Sequence, residues 1–123
     1  MPTPAPSPRL RLRLVFGPDA MVGPGKAELL EQIRDLGSIS AAGRAMGMSY
    51  KRAWSLVEEM NAAFRAPLVL SARGGPQGGG AQLTETGAQV LAHYRSFEDH
   101  AAQAGAGDIA AIGALLRDIP DGK

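Results

Sequence analysis

Residues 38–60, SISAAGRAMGMSYKRAWSLVEEM, decide how this sequence folds. Ala41, Ala42 and Ala45 recur at helical spacing, and their small side chains predict close approach by a second helix. Ser40 is the expected N-cap of this first short helix, because a serine hydroxyl accepts a hydrogen bond from an orphaned N–H of the first turn. Gly47 can take positive φ and end the helix. Ser49 then stands where it can cap a longer helix. In that helix Ala53, Leu56, Val57, Met60 and Phe64 fall on one stripe at the 3.6-residue period. The other face of its first two turns carries Ser49, Tyr50, Lys51, Arg52 and Ser55. A short alanine-rich helix, a glycine turn and a longer helix with a basic leading end make a helix-turn-helix. Such a motif inserts its second helix into the major groove N-terminus first, so the expected partner is double-stranded DNA.

Upstream, residues 1–8 contain four prolines and no periodicity and read as a disordered leader. Arg9 to Phe16 alternates: Leu10, Leu12 and Leu14 share one face, Arg9, Arg11 and Arg13 the other, as in a half-buried strand. The arginine row suits protection of an exposed sheet edge better than contact with phosphate. Gly17-Pro18 and Gly23-Pro24-Gly25 bracket an expected loop. Lys26 to Leu36 follows as an amphipathic helix with Leu29, Leu30, Ile33 and Leu36 inward and Gly37 as its stop.

Downstream, Ala66-Pro67 is expected to end the long helix, because proline disfavours α geometry in the preceding residue. Leu68 to Arg73 is strand-like, a glycine-rich tip spans residues 74–80, and Ala81 to Leu83 can return as a partner strand. A hairpin placed here is the wing of a winged helix-turn-helix, with Arg73 and Gln77 near its tip as expected DNA contacts. A helix over residues 84–103 has Val90, Leu91, Tyr94 and Phe97 on its apolar stripe, which is expected to pack on the core and on a second copy of the chain. Beyond it only Asp108 to Arg117 reads as helical. The predicted fold class is mainly α with a small antiparallel β-sheet, a winged helix-turn-helix with a long C-terminal helix. Its domain spans residues 9–103, between the leader and a tail at 104–123.

The chain has 123 residues, enough for one domain with one core. It contains no cysteine, which excludes disulfides and thiolate chemistry and suits a reducing cytoplasm, the expected location. No apolar run approaches the roughly 20 residues that span a bilayer, and the N-terminus lacks the apolar centre of a signal peptide. The net charge of +1 is nearly neutral, so its distribution matters more. Residues 38–83 hold five cations (Arg44, Lys51, Arg52, Arg65, Arg73) against Glu58 and Glu59, whereas residues 84–123 hold three cations against six anions. The positive half coincides with the helix-turn-helix, as attraction to phosphate requires.

The segment SISAAGRAMGMSYKRAWSLVEEMN, above all Ser49-Tyr50-Lys51-Arg52-Ala53-Trp54, resembles the helix-turn-helix of the ModE family of molybdate-responsive bacterial regulators. Leu83-Thr84-Glu85-Thr86-Gly87 is similar to the leucine-threonine-x-x-glycine segment after the wing, which LysR-type regulators share. The resemblance covers about residues 10–103. It implies a winged-helix homodimer on a palindromic operator, controlling genes of molybdate uptake or molybdoenzymes. Full-length ModE proteins carry C-terminal molybdate-binding domains, and the twenty or so residues after the last clear helix here imply a stand-alone DNA-binding member. Binding of a small oxyanion effector therefore stays open, with no residue assigned to it.

Lys51 and Arg52 are the expected readers of base edges or flanking phosphates. Ser49, Tyr50 and Ser55 share their face and suit phosphate contacts; Arg44, on the preceding helix, suits a backbone contact; Ser38 and Ser40 complete the expected DNA-facing set. Trp54 flanks the apolar stripe and is expected in the core. His93 and His100 are seven residues apart, a poor spacing for one metal ion, and read as surface histidines. No catalytic constellation, metal site or cofactor motif is recognisable, so the chain reads as no enzyme. The rival reading is a protein-interaction adaptor that uses the helix at 84–103 and the apolar tail.

Overall fold

A computed structural model describes residues 9–71 and 80–117. The chain opens with a hairpin of β1 (Leu14–Gly17) and β2 (Ala20–Val22), antiparallel, with Leu14 opposite Val22 and Val15 opposite Met21. The expected strand over 9–16 thus enters a ladder only from Leu14. Its alternation survives upstream all the same: Leu10, Leu12 and Leu14 are half-buried and Arg9, Arg11 and Arg13 exposed. Residues 20–22, expected in a loop, form β2 instead. Three residues are too few to display a period, and the signal lies in the turn pair Pro18-Asp19 that folds the chain back.

α1 (Pro24–Leu36) starts with proline in its first turn, where a missing N–H costs nothing, and ends at Gly37 with φ 70°, whose N–H bonds the Ile33 carbonyl. Leu29, Leu30 and Ile33 are fully buried. Leu36, expected inward, is 48% exposed, because the chain turns away at Gly37 and leaves the last turn uncovered. α2 (Ile39–Ala45) is capped by Ser38, not by Ser40. Ser38 is extended and its Oγ accepts from the Ala41 N–H at 3.0 Å, whereas Ser40 lies inside the helix and its Oγ accepts from Arg44 Nη1 at 2.9 Å. Burial of Ile39 fixes this register: the residue before it must be the one that enters the helix.

α3 (Tyr50–Ala63) packs against α2, and the close approach falls at Gly43, with Ala42 buried beside it, rather than along the full alanine set. A methyl group on Gly43 would sit 3.0 Å from the Ala53 Cβ, while Ala45 is exposed. The stripe of Ala53, Leu56, Val57 and Met60 is buried as expected; Phe64, half-buried, already lies past the helix end. That end is three residues upstream of Ala66-Pro67, because Asn61 diverts the chain. Its Oδ1 accepts from the N–H groups of Leu68 (2.8 Å) and Val69 (3.1 Å), and its Nδ2 donates to the Val69 carbonyl at 3.1 Å.

Asn61 therefore bonds α3 to the first strand of a second hairpin, β3 (Val69–Ser71) with β4 (Ala81–Leu83), paired Val69 to Leu83 and Ser71 to Ala81. The strands make two separate hairpins, not one sheet. Asn61→Ala leaves partly buried backbone groups unsatisfied and is expected to cost about 2–3 kcal/mol, at roughly 1–3 kcal/mol for a lost buried partner. Urea denaturation measures it.

α4 (Glu85–Ala104) begins at Thr84, whose Oγ1 accepts from the Gly87 N–H at 2.9 Å and donates to the Pro67 carbonyl at 2.7 Å. Leu91 and Tyr94 lie in the core with Leu30, Ile33 and Met60. The Arg95 guanidinium joins Glu31 of α1 (2.7 Å) to Glu98 (2.7 Å), and these carboxylates, Glu31 first, raise its pKa. α5 (Ala106–Ala114) starts and ends earlier than the expected 108–117, buries no residue, and leaves Ile112 exposed, with Leu115 and Leu116 exposed just beyond it.

The Tyr94 hydroxyl donates to the Leu12 carbonyl and so fastens the N-terminal segment to α4. Burial, then the nearby Glu98 charge, raises the Tyr94 pKa above its ordinary value near 10. A raised folded-state pKa means that this stabilisation is complete below the unfolded value and lost as pH climbs through the folded one. Tyr94→Phe is expected to be less stable than the wild type at neutral pH and to lose less stability above pH ~10. Thermal melts between neutral and alkaline pH check both.

Candidate nucleic-acid interface

The leading end of α3 is built by Ser49, which is extended and whose Oγ accepts from the Arg52 N–H at 3.0 Å. Bonding that N–H locally fixes where the helix starts and hence which face Lys51 and Arg52 occupy. Burial of Ala53, Leu56, Val57 and Met60 on the opposite stripe then holds both cations outward, and both are exposed. Ser55 is exposed as well, four residues from Lys51 and three from Arg52, so the three share one face. Tyr50 is 56% exposed, and its ring stacks on Trp54 one turn later, with centroids 6.4 Å apart and planes 17° from parallel. Trp54 is half-buried against the core. It packs on the core as expected and also braces Tyr50, a role that composition did not suggest.

The other expected contacts divide. Arg44 is exposed on α2, and its bond to Ser40 Oγ joins two residues expected to face DNA. Ser38 is half-buried with its hydroxyl engaged in capping. Arg73 and Gln77 lie outside the described residues. What is described is the base of the wing, which hangs from the end of α1 through the Ala81 N–H to the Gly37 carbonyl at 2.9 Å. That bond places the hairpin beside the start of α2. Asn61, which holds the wing, escaped the sequence reading, since one polar residue near a helix end carries no pattern. Thr84 reads along the chain as a candidate cap of the next helix, alongside Thr86, but not as a tie to the Pro67 carbonyl.

Of the apolar stripe on α4, Leu91 and Tyr94 are 4% and 2% exposed within a single chain, so they face the protomer's own core. Val90 and Phe97 stay accessible along a groove of about 380 Å³ shared with Leu14, Phe16 and Phe64. Phe16 is 72% exposed, and with α5 it leaves apolar surface in water. No helix among the described residues is long and apolar enough to cross a membrane.

The family described as bacterial regulatory helix-turn-helix protein, lysR family, matches residues 25–88, just over half of the chain. The chain is also 47% identical over 79 residues to the molybdenum-pterin-binding protein MopB of Rhodobacter capsulatus, covering 64% of this chain and 29% of that protein. It is 44% identical over 73 residues to the molybdenum transport protein ModE of Azotobacter vinelandii, covering 59% and 27%. Against the DNA-binding transcriptional dual regulator ModE of Escherichia coli it is 42% identical over 71 residues, covering 58% and 27%. The chain thus spans less than a third of the length of these relatives.

Proposed function

Because this chain belongs to the bacterial regulatory helix-turn-helix proteins of the lysR family, we propose that it is a sequence-specific DNA-binding transcriptional regulator. The observation that carries this reading is the start of α3: a serine-capped helix with Lys51 and Arg52 held in solvent by burial of the opposite stripe. The protein binds as a homodimer to a palindromic operator, its two α3 helices about 34 Å apart on one face of the duplex. Accessible Val90 and Phe97, exposed Phe16 and the exposed apolar residues after α4 support association through this side of the molecule. The regulated genes serve molybdenum uptake or molybdenum enzymes, a reading supported by the names of the similar proteins.

Selection of bound fragments from a genomic pool, followed by mobility shifts over a salt series, tests the proposal. A shared palindromic sequence and steeply salt-dependent binding are the expected results. An adaptor that acts only through protein contacts gives no shift at any salt concentration. Calorimetry with molybdate and tungstate decides separately whether an oxyanion binds.

A further inference from the structure

We propose that Arg13 and Arg52 together form a phosphate-binding contact beside the leading end of α3, so that the segment before β1 lies along the DNA backbone. The proposal rests on the DNA-binding reading above and extends the interface to a part of the chain outside the helix-turn-helix. Its starting point is the row Arg9, Arg11 and Arg13. Edge protection, the role the alternation suggests, needs a ladder to protect, but the hairpin ladder begins at Leu14 and none of the three arginines belongs to it. That role lacks its edge.

The orientation of the row is fixed. Leu10, Leu12 and Leu14 are half-buried, and the Tyr94 hydroxyl holds the Leu12 carbonyl, so the alternate side chains must face outward. Arg13 is directed across the start of α1: a methyl group on Gly23 would lie 3.3 Å from its Cγ. From there it lines a cleft of about 450 Å³ together with Lys26, Arg52 and Glu59. Lys26 answers the single carboxylate of that cleft at 3.4 Å and also donates to the Met21 carbonyl at 3.2 Å. Arg13 and Arg52 hold no carboxylate among the described residues, whereas Arg34 pairs with Asp35 and Arg95 with Glu31.

With Arg13 and Arg52 both lining this cleft, a phosphate entering it would meet two arginine side chains, and the planar donor fork suits phosphate oxygens. Arg52 already belongs to the proposed recognition helix, so DNA in the major groove brings its own phosphates to this cleft. The wing hangs from the other end of α1, about 20 Å away at 1.5 Å per residue. The cleft and the wing thus lie at opposite ends of α1, and backbone contacts at both would orient α3 in the groove.

The test measures binding over a salt series for the wild type, Arg13→Gln, Arg13→Lys and Arg117→Gln, on a duplex captured by the wild type and on an unrelated one. Arg13→Gln is expected to weaken both complexes by about 3–10-fold and to reduce the slope of log K against log salt by about 1. Lysine at 13 restores most of the slope, Arg117→Gln leaves it unchanged, and melting temperatures stay level. A wild-type slope in Arg13→Gln overturns the contact. So does a loss that lysine does not restore and that comes with a lower melting temperature, which assigns Arg13 a packing role. If the wild type binds no duplex, the DNA-binding reading itself fails and this contact with it; binding that depends on Lys51 and Arg52 but not on Arg13 removes this contact alone.

Discussion

Gly87→Ala is expected to remove most of the stability of the fold. A Cβ at this position would lie 2.1 Å from the Leu68 carbonyl oxygen, deep inside contact distance. Neither side can yield cheaply. The Leu68 carbonyl accepts from the Thr84 N–H at 2.9 Å, and the Leu68 N–H is held by Asn61 at 2.8 Å. Helix α4 cannot back away, because Leu91 and Tyr94 are buried one and two turns further on. Relief of the clash must break the Thr84 cap or lift α4 off the wing and core. A loss above about 4 kcal/mol is therefore expected, from a total that is only about 5–15 kcal/mol for domains of this kind. Circular dichroism with urea titration measures it. Gly25→Ala is the matched control: it is also helical, nothing lies within 4 Å of its added methyl, and the change is expected to be neutral or slightly stabilising. Equal stability of Gly87→Ala and wild type would show that α4 does not cross the wing as described.

Removing the two cations at the start of α3 is expected to act on binding with little effect on stability. Lys51 and Arg52 are exposed, and the cap of the helix uses the Arg52 backbone N–H rather than its side chain. Alanine at either site keeps the cap and suits a helix, so the melting temperature is expected to stay within a degree or two. On the operator, each loss is worth about 1–3 kcal/mol, or roughly 5–150-fold in affinity, if the side chain reads a base edge. If it contacts phosphate, the loss is the same on all sequences and the salt slope falls by about 1. Titration of both variants on operator and unrelated duplexes separates base readout from backbone contact residue by residue. Unchanged affinity in both variants removes α3 from the interface.

The legible parts of this protein are those in which a local rule and the tertiary structure ask for the same thing. Ser49 capping, the stripe from Ala53 to Met60, and the stops at Gly37 and Gly47 with φ of 70° and 72° all belong to this class. Each depends on residues within one or two turns. The expected cap at Ser40 fails where tertiary burial intervenes: Ile39 is buried inside the helix, and the cap falls to Ser38. Leu36 and Leu91 show the same limit from the other side. Both carry the helical period, yet one lies in solvent and the other fully in the protomer, because a period says which face is apolar and not what covers it.

The sequence by itself determined the helix-turn-helix, the exposed basic start of its second helix and the hairpin after it, since capping, helical period and turn chemistry act over a few residues. Tertiary structure alone decided that Gly87 must be glycine, that Asn61 holds the wing, and that Arg13 shares a cleft with Arg52. Those facts join residues 19, 7 and 39 positions apart, whose meeting is set by how helices and hairpins pack and not by any pattern along the chain.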